Sequence, residues 1–225
     1  MFFKRKPKGP PLKASELKKL ISTHIAPRLR ELGWKGSGMH YKKINGNSPI
    51  IQVIGFQVNK YGGEFCVEVG IHPNYLPERW EGQYELKKLT HASLLIRSRL
   101  SPKMGSDYWW KIGADEKSTL KILDNVWETF KKNGIPYFGF YEEFPQPFTD
   151  VKIIDGKLKT PIEFATQLTH VTDITLCWLV AHSFDYIKDY ENSYRFSHHG
   201  INCIHGRQGI ALKSGFEELM KKKSA

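Results

Sequence analysis

The sequence predicts an α+β fold: an antiparallel sheet of about five strands packed against helices, followed by a C-terminal helical subdomain. Three observations predict it. Segments that alternate apolar and polar residues crowd between residues 39 and 112, and a period of two marks half-buried strands. Stripes at helical spacing flank them at 15–32 and 115–133. Beyond residue 160 the periodicity is helical alone. Strands joined by short turns pair antiparallel, and helices on both sides of the run cover one face, leaving the other partly wet.

The elements follow in order. Residues 1–12, rich in Lys, Pro and Gly, read as a basic flexible arm. A helix from Ser15 to Leu32 carries Leu17, Leu20, Ile21, Ile25, Leu29 and Leu32 on one stripe and closes at Gly33. Pro27 predicts a kink there or a break near Ala26. Met39–Ile44 and Ile50–Val58 are strands separated by the turn formers Asn45-Gly46-Asn47-Ser48-Pro49. Asn59–Gly63 is a hairpin loop. In Phe65–Ile71 the apolar Phe65, Val67, Val69 and Ile71 oppose Glu64, Cys66, Glu68 and Gly70. Leu94–Leu100 and a short Tyr108–Ile112 complete the sheet after a long connection at 73–91. A helix at Asp115–Asn133 ends at Gly134, and an irregular aromatic stretch fills 135–159. Thr160-Pro161-Ile162-Glu163 reads as a helix start with Thr160 as cap. Helices at 174–190 and about 208–222 follow, the last weakened by Gly209 and Gly215. The domain reading is an arm at 1–12, an α+β domain at 13–144, and a helical extension at 145–225 packed on it.

Charge is unevenly placed. The net formal charge is +11, and the isoelectric point is about 9.4. Residues 1–30 hold nine basic residues and one acid, so +8 lies there and +3 remains for the rest. A basic arm meets phosphates, but a short lysine-rich terminus is more often a solvated tail. The alternative, nucleic-acid-binding reading uses Lys4, Arg5, Lys6 and Lys8 of the arm with Lys42, Lys43 and Lys60 of the 41–60 hairpin. Aromatics such as Trp34, Tyr41, Phe56, Tyr61, Trp109 and Trp110 would stack bases in that reading, and pack the core otherwise. The polar face of the sheet would carry Glu64, Glu68, Arg97 and Arg99 as cross-strand ion pairs.

Several chemistries find no support. The nucleophile-elbow, P-loop, zincin and dinucleotide fingerprints are missing from the sequence. Cys66, Cys177 and Cys203 form neither a disulfide framework nor a C-x-x-C pair. Met1-Phe2-Phe3 runs at once into Lys4-Arg5-Lys6, so no signal peptide is expected. A mean hydropathy of -0.45, with no long uncharged apolar run, predicts no membrane span. A cytoplasmic protein is expected. The weak metal candidates His198, His199, Cys203 and His205 fall within eight residues. They lack a second ligand pair from another segment, so 198–205 reads as a polar loop between helices that holds no zinc.

The order of segments is itself informative: Leu32-Gly33-Trp34-Lys35, Ile51–Gln57, Lys60-Tyr61-Gly62, Phe65–Ile71, Arg97-Ser98-Arg99-Leu100, Trp109-Trp110 and Gly134–Phe138. Over residues 13–140 it resembles the bacterial family called domain of unknown function 4304. The resemblance implies an α+β domain in a bacterial cytoplasmic protein and brings no catalytic residues with it. An association with defence or toxin–immunity systems follows by analogy alone. The functional expectation is a non-catalytic domain that binds another protein, with no cofactor, no membrane partner and an open oligomeric state. An enzyme with Arg97 and Arg99 lining a pocket is the least favoured reading.

Overall fold

The computed structural model describes residues 10–46, 48–77, 89–103, 105–168 and 170–224. The first helix shows how one proline is absorbed. Helix α1 (Ala14–Leu20) passes through a π-helical turn (Ile21–Ile25) into α2 (Ala26–Glu31). Pro27 has no N–H to give the preceding turn, and the wider turn ahead of it lets the helix continue instead of breaking. Gly33, at φ +85°, closes the helix as its type predicts. Its N–H reaches the Arg30 carbonyl, while that of Trp34 reaches Leu29.

A six-stranded antiparallel sheet follows, ordered β1 (Lys35–Ser37), β2 (His40–Ile44), β3 (Ile50–Val58), β4 (Glu64–Pro73) and β5 (Ile96–Arg99). Strand β6 (Trp110–Lys111) pairs with the start of β4. The β3–β4 register sets Val67 opposite Phe56, Val69 opposite Ile54, and Glu68 opposite Gly55. One face therefore carries Ile54, Phe56, Phe65, Val67, Val69 and Ile71 into the main core. There they meet Leu17, Ile21 and Leu29 of the first helix, and Leu123, Val126 and Phe130 of the next.

The second face, expected to be partly wet, is covered in part. Leu89 and Leu94, on the return from the long connection, pack on Ile51 and Val53 as a separate small cluster. An irregular segment covers the face, and no period announces such a cover. The middle of that connection, 78–88, lies outside the described residues.

Helix α3 (Glu116–Thr129) starts at an Asp115 cap, whose carboxylate accepts from the Ser118 N–H at 2.7 Å. It does not stop at Gly134. A second π-helical turn (Phe130–Gly134) leads into α4 (Ile135–Gly139), again just ahead of a proline, Pro136. Gly134 is needed for close approach instead of as a cap, since a Cβ there would lie 2.5 Å from the Phe130 ring. The stretch expected to be irregular also forms a hairpin, β7 (Lys152–Ile154) with β8 (Lys157–Lys159). Helix α5 (Ile162–Gln167) begins with Pro161, not Thr160, at its cap.

Helix α6 (Asp173–Tyr186) is buried almost all round, the pattern of a central helix. Helices α7 (Tyr190–Asn202) and α8 (Lys213–Lys221) pack against it. The sheet, its helices and this C-terminal group share one continuous core, from Leu17 to Leu219. Tyr75 joins the two parts: its hydroxyl lies 2.7 Å from that of Ser183, and its ring stacks on Tyr186. Among the described residues no helix is long and apolar enough to cross a membrane.

Candidate functional site

The second sheet face brings one row of polar residues together across four strands. His40 of β2 lies opposite Gly55 of β3, Gly55 opposite Glu68 of β4, and Glu68 opposite Arg99 of β5. Gly55 is the gap in this row. A Cβ there would fall 2.1 Å from the His91 ring, so only the bare backbone lets that ring lie against the sheet. His91 then stacks on His40 with ring centroids 5.2 Å apart. Burial holds His91 below the ordinary histidine range; Glu68 pulls it back up and Arg97 pushes it down. Burial also lowers His40, helped by His91 and Lys42.

Glu68 is the anchor of the row and is buried. Its carboxylate accepts from Arg97 Nη1 at 3.4 Å and lies 3.9 Å from Arg99 Nε and 4.0 Å from His91 Nε2. Arg99 also pairs with Asp107 and lies over the Trp109 ring at 4.5 Å. Two acids and two guanidiniums thus face each other around a cleft of about 390 Å³ that Ser106 and His170 also line. Charges arranged this way neutralise one another, and removing an arginine would leave the buried Glu68 carboxylate less compensated. Their chemistry is that of a strut. Glu64 stands apart, accepting from Asn59 Nδ2 at 2.8 Å.

On the other side of His91 a cleft of about 500 Å³ opens beside edge strand β1. Lys35, His40 and Lys42 line it together with Ile44 and Leu89, and none of the described lining residues is acidic. Lys42 is lowered from the usual lysine range by burial. Ile44 is 57% exposed, and all three residues of β1 are exposed. This cleft differs from its neighbour in charge and in having an apolar rim beside an open strand edge.

Among the described residues, the basic residues singled out from the sequence do not converge. Lys4, Arg5, Lys6 and Lys8 lie outside the described residues. Leu12, at the end of the expected arm, is tied down: its N–H reaches the Gly113 carbonyl at 3.0 Å and its side chain packs on the core. Lys42 and Lys43 are successive on β2 and so point to opposite faces. Lys60 lies beyond Val58, which is itself five residue steps from the Val53 paired with Lys42, a run of about 17 Å along the strand. The aromatics proposed for stacking are mostly core: Trp34, Tyr41, Phe56 and Trp110 are buried, while Tyr61 is exposed.

The 198–205 segment is also placed differently from its reading as a loop. Residues 198–202 form the last turn of α7, and Cys203 caps it. His198 stacks on Tyr194, and His205 is exposed beyond the helix. His199 and Cys203 face α6, where Cys177 meets them. Burial pushes the Cys177 thiol well above the usual range, with Cys203 and Asp173 adding to it. Burial and Asp173 raise Cys203, which hydrogen bonding to Cys177 partly offsets. The second segment that the sequence did not show is therefore α6. Nothing in local sequence could have found it, because Cys177 and Cys203 are brought together only by the packing of two helices.

A meander with helices on one face, an irregular cover on the other, and polar clefts at both ends of one strand row defines the class. The family model for the Domain of unknown function (DUF4304) matches residues 25–139, and the chain belongs to that family. The matched span includes the whole six-stranded sheet, the cleft beside β1 and the Glu68 cluster, and ends before Cys177 and Cys203. No curated protein and no solved structure matches the chain.

Proposed function

We propose that the chain is a non-catalytic, cytoplasmic, bacterial protein-binding domain, and that its partner presents an acidic segment to the cleft beside β1. The observation that carries this reading is the open edge of β1, where Lys35 and His40 line a cleft beside the exposed Ile44. The exposed edge of β1 offers backbone groups to an extended segment, and the exposed Ile44 offers it apolar contact. Complementary charge then sets orientation and on-rate. A role in defence or toxin immunity fits the same reading, since masking another protein needs a surface and no chemistry.

The test is fluorescence anisotropy with a labelled twelve-residue peptide alternating glutamate and valine, beside a neutral peptide and a twelve-nucleotide RNA. The acidic peptide should bind in preference to both. The double variant Lys35→Glu/Lys42→Glu should weaken it at least tenfold, and Lys60→Glu should leave it unchanged. Tighter binding of the RNA, or equal loss in the Lys60 variant, would overturn the proposal in favour of a nucleic-acid binder.

A further inference from the structure

Two thiols and an imidazole meet where α6 packs on α7. Cys177 projects from the middle of α6 and is fully buried. His199 and Cys203 are four residues apart at the end of α7, so both side chains leave the same face of the helix. The three donor atoms all lie within 4.8 Å of one another. The helices beneath them are fixed, with the Phe184 and Phe196 rings stacked at 5.6 Å. Cys66, the remaining cysteine, sits alone in the sheet beside Gln57.

We propose that Cys177, His199 and Cys203 form a zinc-class metal site, with water in the fourth position. The donor set decides the class: two thiolates and one imidazole select zinc over calcium or magnesium, which take oxygen ligands. The geometry is close to what the ion needs. Tetrahedral zinc with sulfur at about 2.3 Å and nitrogen at about 2.0 Å holds its ligand atoms roughly 3.5–3.8 Å apart. Contraction by about 1 Å from the observed spacing is within the reach of side-chain rotation, because His199 and Cys203 are only partly buried. That partial exposure also gives the ion a way in and leaves room for the water. The site lies outside the family-matched span and does not depend on the function proposed above.

The experiment is a cobalt titration of the tag-free, full-length chain, reduced and stripped with chelator. One cobalt per chain is expected, with the intense visible bands and sulfur charge-transfer absorption of a tetrahedral thiolate site. Zinc should displace it and raise the melting temperature of the chain. His199→Gln and Cys203→Ser replace partly exposed side chains, so each should fold by circular dichroism and weaken cobalt at least tenfold. Cys66→Ser should leave the titration unchanged. Failure of the wild type to bind cobalt would overturn the proposal. So would binding that survives both substitutions, or a Cys177–Cys203 disulfide in protein isolated under reducing conditions.

Discussion

Single buried groups set how this chain responds to acid. His182 sits in α6 with its ring edge against Trp178, and its Nε2 has no hydrogen-bond partner. Burial, with a smaller push from Lys222, lowers it from 6.5 to about 3, and burial lowers His72 to about 4. The folded pKa is depressed in both, so the stability they support is complete above the unfolded value. It is lost as pH falls, because the unfolded chain takes up the proton first. Between pH 7 and pH 5 the loss is about 2 kcal/mol per histidine, at 1.36 kcal/mol per pH unit below the unfolded value. His182→Phe removes one of these losses. Its urea-derived stability should fall by about 2 kcal/mol less than that of wild type over this interval; equal falls would refute the assignment. His182 was easy to pass over in the sequence, where it is one polar residue in an apolar run.

At the level of elements, glycine separates what sequence shows from what packing decides. Gly209 and Gly215 read as weakening the last helix. Gly209 stands at φ +76° before that helix, and Gly215 lies against the Trp178 ring, 2.4 Å from where a Cβ would be. Gly200 of α7 does the same for Phe216 of α8, at 2.5 Å. Phe216 is fully buried and has nowhere to retreat. Gly200→Val should therefore destabilise the chain by about 2 kcal/mol, in the range of core overpacking, despite the better helix propensity of alanine-like backbones. Chemical denaturation reads this directly, and an unchanged or raised midpoint would show that α8 can shift. Strands β2 to β5 were legible within sequence runs of six to nine residues, and the two-residue β6 lies inside the short strand expected at Tyr108–Ile112. Strands β1, β7 and β8 have three residues each, too few to show a period. Both π-helical turns were foreshadowed only by their prolines, which signal a disturbance without saying whether the helix breaks or widens.

For the whole molecule, the question is whether the C-terminal helices are an appendage. Tyr141, Phe148 and Phe164 form a run of ring contacts across the boundary drawn at residue 144. Tyr75 adds its bond to Ser183 from the sheet side. A chain ending at Phe144 would expose Tyr141 and leave Tyr75 without its stacking partner. It should lose cooperative melting, whereas the full chain should melt in one transition when followed by circular dichroism. Cooperative melting of the short chain at the full-length temperature would show that residues 13–144 fold alone. This aromatic seam was visible in the sequence only as an aromatic-rich stretch. The cleft beside β1 was less visible still, since Lys35 and Lys42 are brought together by the strand register and Leu89 by the return of the long connection.

The seat of His91 on Gly55 has a consequence for descent. Any side chain at position 55 would occupy the space of the imidazole, so the two positions cannot drift independently. A relative that acquires alanine or serine at 55 must give up a flat ring at 91, and the His40 stack goes with it. Glu68 would then keep its arginines but lose its third neighbour. Across diverged members, glycine at 55 and histidine at 91 should be inherited or lost as one character.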